Sequence, residues 1–352
     1  MTAFLLTALL AFGLTVGLHL SALRLFPRWG LLDFPERYAL TRERLPYPAG
    51  IIAVCTFLIL FPTFFPMGMQ NVGVLLGVAM LGIVCFLDDR WSLNPWLRLG
   101  VQATVALVIF LTGTRIFSLQ NPLEGFVGTD VIPLDTLTIP SSFWSNPSIW
   151  GALFTILWLG LTMNAMNWFD GIPGQVNVLS TIGFVVIGLL SLSDRVDQPP
   201  LAFLAFLLAG IAAGCLLFDL PPPKVVLGDT GSMFFGLLLG VLTIYAGGKV
   251  ATAFLVLGVP LIDSVLVGAQ RIFSGRSLAQ GSQKGEHLHH RLLQKGWHPL
   301  SIIALTAGLG TLFGVTALFL GTTGKLIAGL LLFLIMLSLM WYTRSTKKAS
   351  TR

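Results

Sequence analysis

The sequence is short of charge. Only 10% of its 352 residues are Asp, Glu, Lys or Arg, against 55% hydrophobic residues and a mean hydropathy of +0.85. A soluble domain carries about 25% charged residues, so a water-facing globule of this size is excluded. Cysteine is scarce as well: Cys55, Cys85 and Cys215 each fall in an apolar stretch and at no ligand spacing. That excludes a disulfide framework, and the three are expected as small packing residues. Internal repeats and low-complexity tracts are lacking. No positive charge precedes the first apolar stretch, whose first fixed charge is Arg24 on its far side, so it does not read as a signal peptide.

What is present is apolar length. Eleven segments approach or reach the roughly 20 residues that cross a hydrocarbon core, at about 2–23, 50–66, 71–87, 99–117, 148–164, 176–192, 201–218, 232–247, 250–270, 300–320 and 326–342. The expected fold is therefore an all-α polytopic membrane protein of about eleven transmembrane helices. With the N-terminus outside and the C-terminus inside, only Arg115, Arg195, Lys249 and Lys325 of the 21 Lys and Arg lie on the outer side, as the positive-inside rule favours. The net charge of +6 then reads as loops facing an anionic leaflet, and no nucleic-acid partner is needed. The longest outer loop, about 118–147, holds a β-branched run over Thr129–Pro140 that suggests a short outer β-hairpin. Residues 1–343 form one transmembrane domain, with inner loops at about 24–49, 88–98, 164–175, 219–232 and 271–299, and 344–352 form a basic cytoplasmic tail.

Chemistry-bearing residues gather on the inner loops. Asp88 and Asp89 end a helix, where the macrodipole disfavours negative charge and each carboxylate repels the other. Asn94-Pro95 reads as N-cap and first residue of the next helix. The bland alternative is a solvated turn with Arg90 as partner. Asn164 and Asn167 stand one helical turn apart and can face one ligand, ahead of the turn at Asp170-Gly171; capping amides are the alternative. In Lys224-Val-Val-Leu-Gly-Asp-Thr-Gly-Ser232, the glycines allow close backbone approach, Asp229 offers a hard oxygen ligand, and a helix N-terminus offers N–H groups to an anion. A Mg²⁺ site combines one or two carboxylates with substrate phosphates; a simple N-cap is the alternative. Last come Arg271 to Arg276 and Glu286-His-Leu-His-His-Arg-Leu292. His287, His289 and His290 lack zinc-site spacing and suit phosphate better, surrounded by Arg271, Arg276, Lys284 and Arg291. A basic amphipathic helix is the bland version. Asp263 adds a carboxylate in or near the bilayer, where charge is costly enough to suggest function. His19, alone on an apolar helix, reads as packing or a hydrogen-bond partner. Together these loops suit a metal-bound diphosphate at the membrane surface.

The motifs resemble those of the polyprenyl-phosphate N-acetylhexosamine-1-phosphate transferases (glycosyltransferase family 4), which start peptidoglycan lipid, teichoic acid and O-antigen synthesis. The resemblance runs from about Asp33 to Arg291. It is carried by Asp88-Asp89-Arg90 with Leu93, Pro95, Arg98-Leu99 and Gln102; by Asn164-x-x-Asn167-x-x-Asp170-Gly171; by Gly228-Asp-Thr-Gly-Ser232; by Pro260-Leu-Ile-Asp263; and by Ser274-Gly-Arg-Ser277 before His287-Leu-His-His-Arg-Leu292. The His-x-His-His form is closer to the undecaprenyl-phosphate N-acetylglucosamine-1-phosphate branch. The resemblance implies an eleven-helix protein of the plasma membrane with a site open to the cytoplasm. A polyprenyl (undecaprenyl) phosphate would attack the sugar-linked phosphate of a UDP-N-acetylhexosamine, most simply UDP-N-acetylglucosamine. The products would be UMP and a polyprenyl diphosphate-sugar, in the first membrane step of a cell-envelope glycan pathway. It further implies Mg²⁺, with Mn²⁺ as a substitute, held by Asp229. Asp88 and Asp89 would orient or deprotonate the carrier phosphate, Asn167 and Asp170 would face the nucleotide, and Asn164 would bind substrate beside them. His287, His289, His290, Arg291, Arg271 and Arg276 would bind diphosphate and sugar, and Asp219, Lys224 and Asp263 complete the substrate-binding set. Dimers occur in the family, so a homodimer is a further expected partner.

Three positions depart from the family pattern. Ser92 stands where a third Asp is usual, Pro173-Gly174 where a second Asp-Gly is usual, and Asp219 where an Asn is expected. Arg44-Leu-Pro-Tyr-Pro-Ala-Gly50 fits the family's first-loop pattern only loosely. Two other readings stand beside the transferase: a catalytically impaired relative acting as lipid binder or scaffold, and an ion-coupled transporter using Asp88, Asp263 and the histidines. The transporter wants carboxylates near mid-membrane, whereas here they cluster at inner helix ends.

Overall fold

A computed structural model describes residues 2–38, 42–121, 128–129, 131–141, 146–194, 196–246, 250–276 and 285–344. Lys284, Ser277 and the basic tail beyond 344 lie outside the described residues. In chain order the helices are α1 (Thr2–Arg28), α2 (Gly50–Phe64), α3 (Met69–Trp91), α4 (Pro95–Leu111), α5 (Ile149–Phe169), α6 (Gln175–Ser191), α7 (Pro199–Asp219), α8 (Gly228–Tyr245), α9 (Val250–Val256), α10 (Gly258–Phe273), α11 (Leu288–Gln294), α12 (Pro299–Phe319) and α13 (Thr322–Arg344). A 3-10 turn at Pro35–Tyr38 lies between α1 and α2.

Each expected apolar segment contains a helix, but the one expected over 99–117 ends at Leu111 and 250–270 is broken. Pro260 cannot donate to the Val256 carbonyl and its ring crowds that carbonyl, so α9 stops at Val256 and α10 starts at Gly258. Seven helices are long and apolar enough to cross a membrane by length and composition: α1, α3, α5, α7, α8, α12 and α13. The helices α2, α4 and α6 are apolar but shorter. In the 118–147 loop, β1 (Ser118–Gln120) pairs antiparallel with β2 (Val131–Pro133), Leu119 opposite Ile132. Among the described residues of the run expected to form the hairpin, only 131–133 is strand.

The bundle is organised around α8, whose residues from Thr230 to Ile244 are all buried. It packs against α2, α3, α5, α6, α7 and α9, which is why its sequence is apolar on every face. At the other extreme α1 buries one stripe, Thr7, Ala11, Thr15, His19, Ala22 and Phe26, against α7. His19 stacks on Phe218 at 4.8 Å and bonds the Thr15 carbonyl through Nδ1 at 2.9 Å, the packing role expected of it. The three cysteines are unpaired.

Two backbones meet where the site begins. A Cβ on Gly50, the first residue of α2, would fall 2.1 Å from the Gly231 nitrogen and 2.8 Å from the Leu227 oxygen. Gly50→Ala is expected to separate α2 from the start of α8 and cost about 1–3 kcal/mol. Gly100→Ala, with nothing within 4 Å of the new methyl, should leave stability level or slightly raised. Thermal unfolding in detergent compares the two; equal midpoints would show that this contact does not matter.

Candidate active site

The centre lies where the C-termini of α3, α5 and α7 meet the N-termini of α4, α6 and α8. Asp89 is the most heavily bonded group there. Its Oδ1 accepts from the Tyr47 hydroxyl at 2.7 Å and the Asp229 N–H at 2.9 Å. Its Oδ2 accepts from the Thr230 N–H at 3.0 Å and the Thr230 hydroxyl at 2.6 Å. A carboxylate from α3 thus caps α8. Gly228, at φ +78°, makes room, since a Cβ there would lie 2.7 Å from Asp89 Oδ2. The N–H groups expected to meet a substrate anion are therefore taken by the protein itself. Asp89 is a positioning residue in this structure, not an open base.

Asp88 is 7% exposed and accepts from the Leu93 N–H at 2.6 Å. Its cation is Arg98, at 2.9 Å, and the same guanidinium reaches Asp229 at 2.7 Å. Arg90, the partner expected from sequence, instead donates to the Gly30 carbonyl at 2.9 Å. Ser92 closes α3 in the left-handed region, φ +50°, with its N–H on the Asp88 carbonyl. The expected cap at Asn94 is present: its side chain accepts from the Trp96 N–H, with Pro95 at the first position of α4.

On α5 the two amides do not share a target. Asn164 donates to Gln102 Oε1 on α4 at 2.6 Å, and Asn167 to the Ser232 hydroxyl on α8 at 3.1 Å. Both remain partly exposed. Asp170, just past the helix, is partly exposed and makes no side-chain hydrogen bond among the described residues. Burial of the carboxyl, then the carboxylates of Asp219, Asp229 and Asp89, push it well above the usual carboxylate range. Asp219 was expected to bind substrate, yet it is 2% exposed and accepts from the Gly174 N–H and Asn177 Nδ2, both at 2.7 Å. It ties down the start of α6. Lys224 is exposed.

The histidine loop is also more inward than its composition suggests. Asp263 is 3% exposed; it holds His287 Nδ1 at 2.6 Å and accepts the Leu288 N–H at 2.9 Å. His287 is fully buried, its ring 5.7 Å from that of Trp168. His289 presses Nε2 against Gly171, where a Cβ would lie 1.9 Å away. Its burial, then the neighbouring His290 and His287, hold its pKa well below the usual imidazole value. Arg271, expected as a phosphate donor, is 2% exposed, bound to Glu286 and stacked over Trp168. Glu286 also takes Arg276 at 2.7 Å, and Arg291 donates to the Gly285 carbonyl at 3.0 Å. His287, His289 and Arg271 are buried parts of the loop, and the Nε2 atoms of His287 and His289 have no hydrogen-bond partner among the described residues. His290 and Arg276 stay partly exposed.

Sequence reasoning named Arg98 and Gln102 only as spacing within a motif, and Tyr47 and Glu286 only as members of quoted stretches. The signal for Arg98 was its place one helical turn into α4, facing the acidic pair. Among the described residues no three His, Cys, Asp or Glu side chains converge on a point that would hold a metal.

Comparison with known proteins places this geometry. Residues 71–247, which include Asp88, Asp89, Asn164, Asn167, Asp170 and Asp229, match the model of glycosyl transferase family 4. The chain belongs to that family. This family member is 25% identical over 271 residues to a probable undecaprenyl-phosphate N-acetylglucosaminyl 1-phosphate transferase of Bacillus subtilis, covering 75% of this chain and 70% of that one. It is 32% identical over 254 residues to a decaprenyl-phosphate N-acetylglucosaminephosphotransferase of Mycolicibacterium smegmatis, covering 65% and 57%. A phospho-N-acetylmuramoyl-pentapeptide-transferase of Listeria monocytogenes is 25% identical over 236 residues, 67% and 70%. The chain therefore spans little more than half of the mycolicibacterial protein.

The capping role of Asp89 has a direct consequence. Asp89→Asn turns an amide NH₂ toward donors and should lower stability by about 1–3 kcal/mol, seen as an earlier thermal midpoint. Asp229→Asn, which removes half of a partly exposed ion pair, should barely move it. Equal shifts in the two variants would refute the cap.

Proposed function

We propose that this protein transfers N-acetylglucosamine 1-phosphate from a UDP-sugar to a polyprenyl phosphate. The carrier's phosphate oxygen attacks the sugar-linked phosphorus, the bond to the other phosphate breaks, and UMP leaves. The observation that carries this reading is Asp229. It is the centre's one acid that is both ion-paired to arginine and reachable, 29% exposed at the start of the central helix. The names of the relatives in Bacillus and Mycolicibacterium point to the same reaction class and sugar.

The donor set suits a divalent ion. Asp229 gives a partly exposed hard oxygen at the start of α8, and Mg²⁺ prefers one or two carboxylates completed by substrate phosphates. Bound there, Mg²⁺ or Mn²⁺ would neutralise charge on the reacting diphosphate. The protein's own groups do the rest. Asp89 fixes the backbone that carries Asp229. Asn164, Asn167 and Asp170 form the partly exposed wall at the end of α5, suited to the nucleotide. Lys224, Arg276 and His290 are the accessible donors for phosphate and sugar. No strong general base is needed, since a phosphate monoester is largely dianionic near neutral pH, its second pKa being about 6. We place the centre on the cytoplasmic face, with eleven crossings, N-terminus out. The positive-inside distribution of Lys and Arg supports that orientation.

The test is UMP release and lipid-linked product from a panel of UDP-N-acetylhexosamines, with purified protein, a polyprenyl phosphate and Mg²⁺. UDP-N-acetylglucosamine should be used, chelation should stop turnover, and Asp229→Ala should lose about a hundredfold or more. A folded protein that binds carrier lipid yet forms no product from any donor would sink the proposal in favour of a lipid-binding role.

A further inference from the structure

Arg98 sits one turn into α4 and spans two helices. Its Nη1 lies 2.9 Å from Asp88 on α3, and its Nη2 lies 2.7 Å from Asp229 on α8. We infer that Arg98 is a built-in competitor for the cation position, holding Asp229 in the free protein and releasing it when a divalent ion and a diphosphate arrive together. The inference rests on the metal-dependent transferase reading above.

Of the contacts at this centre, the Arg98–Asp229 arm is the one built to exchange. Asp89 cannot turn toward an ion without giving up two α8 N–H groups and two hydroxyls. Asp88 is shut in, 7% exposed, and held by the Leu93 N–H. Arg98 and Asp229, by contrast, are 28% and 29% exposed where they meet. An ion on that carboxylate would stand beside a guanidinium that cannot lose its proton. Like charges at that distance leave movement as the only relief. The fork allows a partial one: Nη1 keeps Asp88 while Nη2 swings away.

The freed edge then needs an acceptor, and phosphate oxygens match a guanidinium in shape and charge. A diphosphate entering with the ion supplies them. The ion alone displaces Arg98 with nothing to receive it, whereas ion plus diphosphate leaves every charge paired. Metal and nucleotide should therefore bind with positive coupling through this side chain, and by linkage each strengthens the other equally.

Mn²⁺ titration of the purified full chain, followed by the electron spin resonance of free Mn²⁺, tests this without turnover. UDP serves as the diphosphate probe, and Mn²⁺–UDP association in solution is subtracted. Wild type should bind Mn²⁺ weakly alone and more tightly with UDP. Arg98→Gln should bind Mn²⁺ alone about fivefold more tightly and lose the UDP enhancement. Arg98→Lys, a charge without the fork, should fall between the two, and it serves where the glutamine variant does not fold. Asp229→Asn should abolish the binding. If Asp229→Asn abolishes it while Arg98→Gln binds Mn²⁺ equally or more weakly, the competition is overturned and the metal reading stands. If Asp229→Asn binds like wild type, the metal reading falls and the competition falls with it.

Discussion

The carboxylate of Asp89 on the first turn of α8 is the contact on which the rest of the centre depends. Two adjacent acids at the end of α3 look unfavourable taken alone, because that helix terminus is already negative. The N-terminus of α8 is brought against them, and its positive end opposes the negative end of α3. Asp89 then satisfies two backbone N–H groups that an α-helix cannot satisfy itself. One side chain thus joins a peripheral helix to the central one and sets the direction in which Asp229 leaves the backbone.

Most of the other acids do comparable work. Asp219 ties down the start of α6, Asp263 holds His287 and the start of α11, and Glu286 gathers Arg271 and Arg276. Each neutralises a donor that would be costly to bury unpaired. Such heavy use of charge at one end of an otherwise apolar bundle is a means of shaping loops in a medium that punishes loose polar groups. Asp229 and Asp170 are the acids of the centre that are partly exposed. The concentration of negative charge around them is what a cation would relieve.

The helices were legible because hydropathy and the Asn94-Pro95 start are local properties. The break at Leu257 was legible in principle from Pro260, but a continuous apolar run hid it. Partner choice was not legible. Arg90 is adjacent in sequence to the acidic pair yet turns to Gly30, while Arg98, ten residues beyond Asp88, comes back across the turn because α4 packs against α3. The cationic loop misled for a related reason. Its basic residues read as open to phosphate, but Glu286, in the middle of that sequence, pairs with two of them, and one of these, Arg271, is buried. Burial of His287 and His289 follows from Asp263 on α10 and Gly171 beyond α5, contacts separated widely along the chain.

The pair of departures at 173 and 219 makes sense as one arrangement. Pro173 has no N–H to offer, so the first free donor ahead of α6 is that of Gly174, in the left-handed region at φ +84°. Asp219 accepts it, along with Asn177. An amide at 219 could accept the same bonds without charge; an aspartate makes them stronger but adds a negative centre beside Asp170. After burial, that centre is the first cause holding Asp170 toward its protonated form. Asp229 and Asp89 act in the same direction. The acid that stabilises the α6 turn therefore also raises the cost of ionising Asp170.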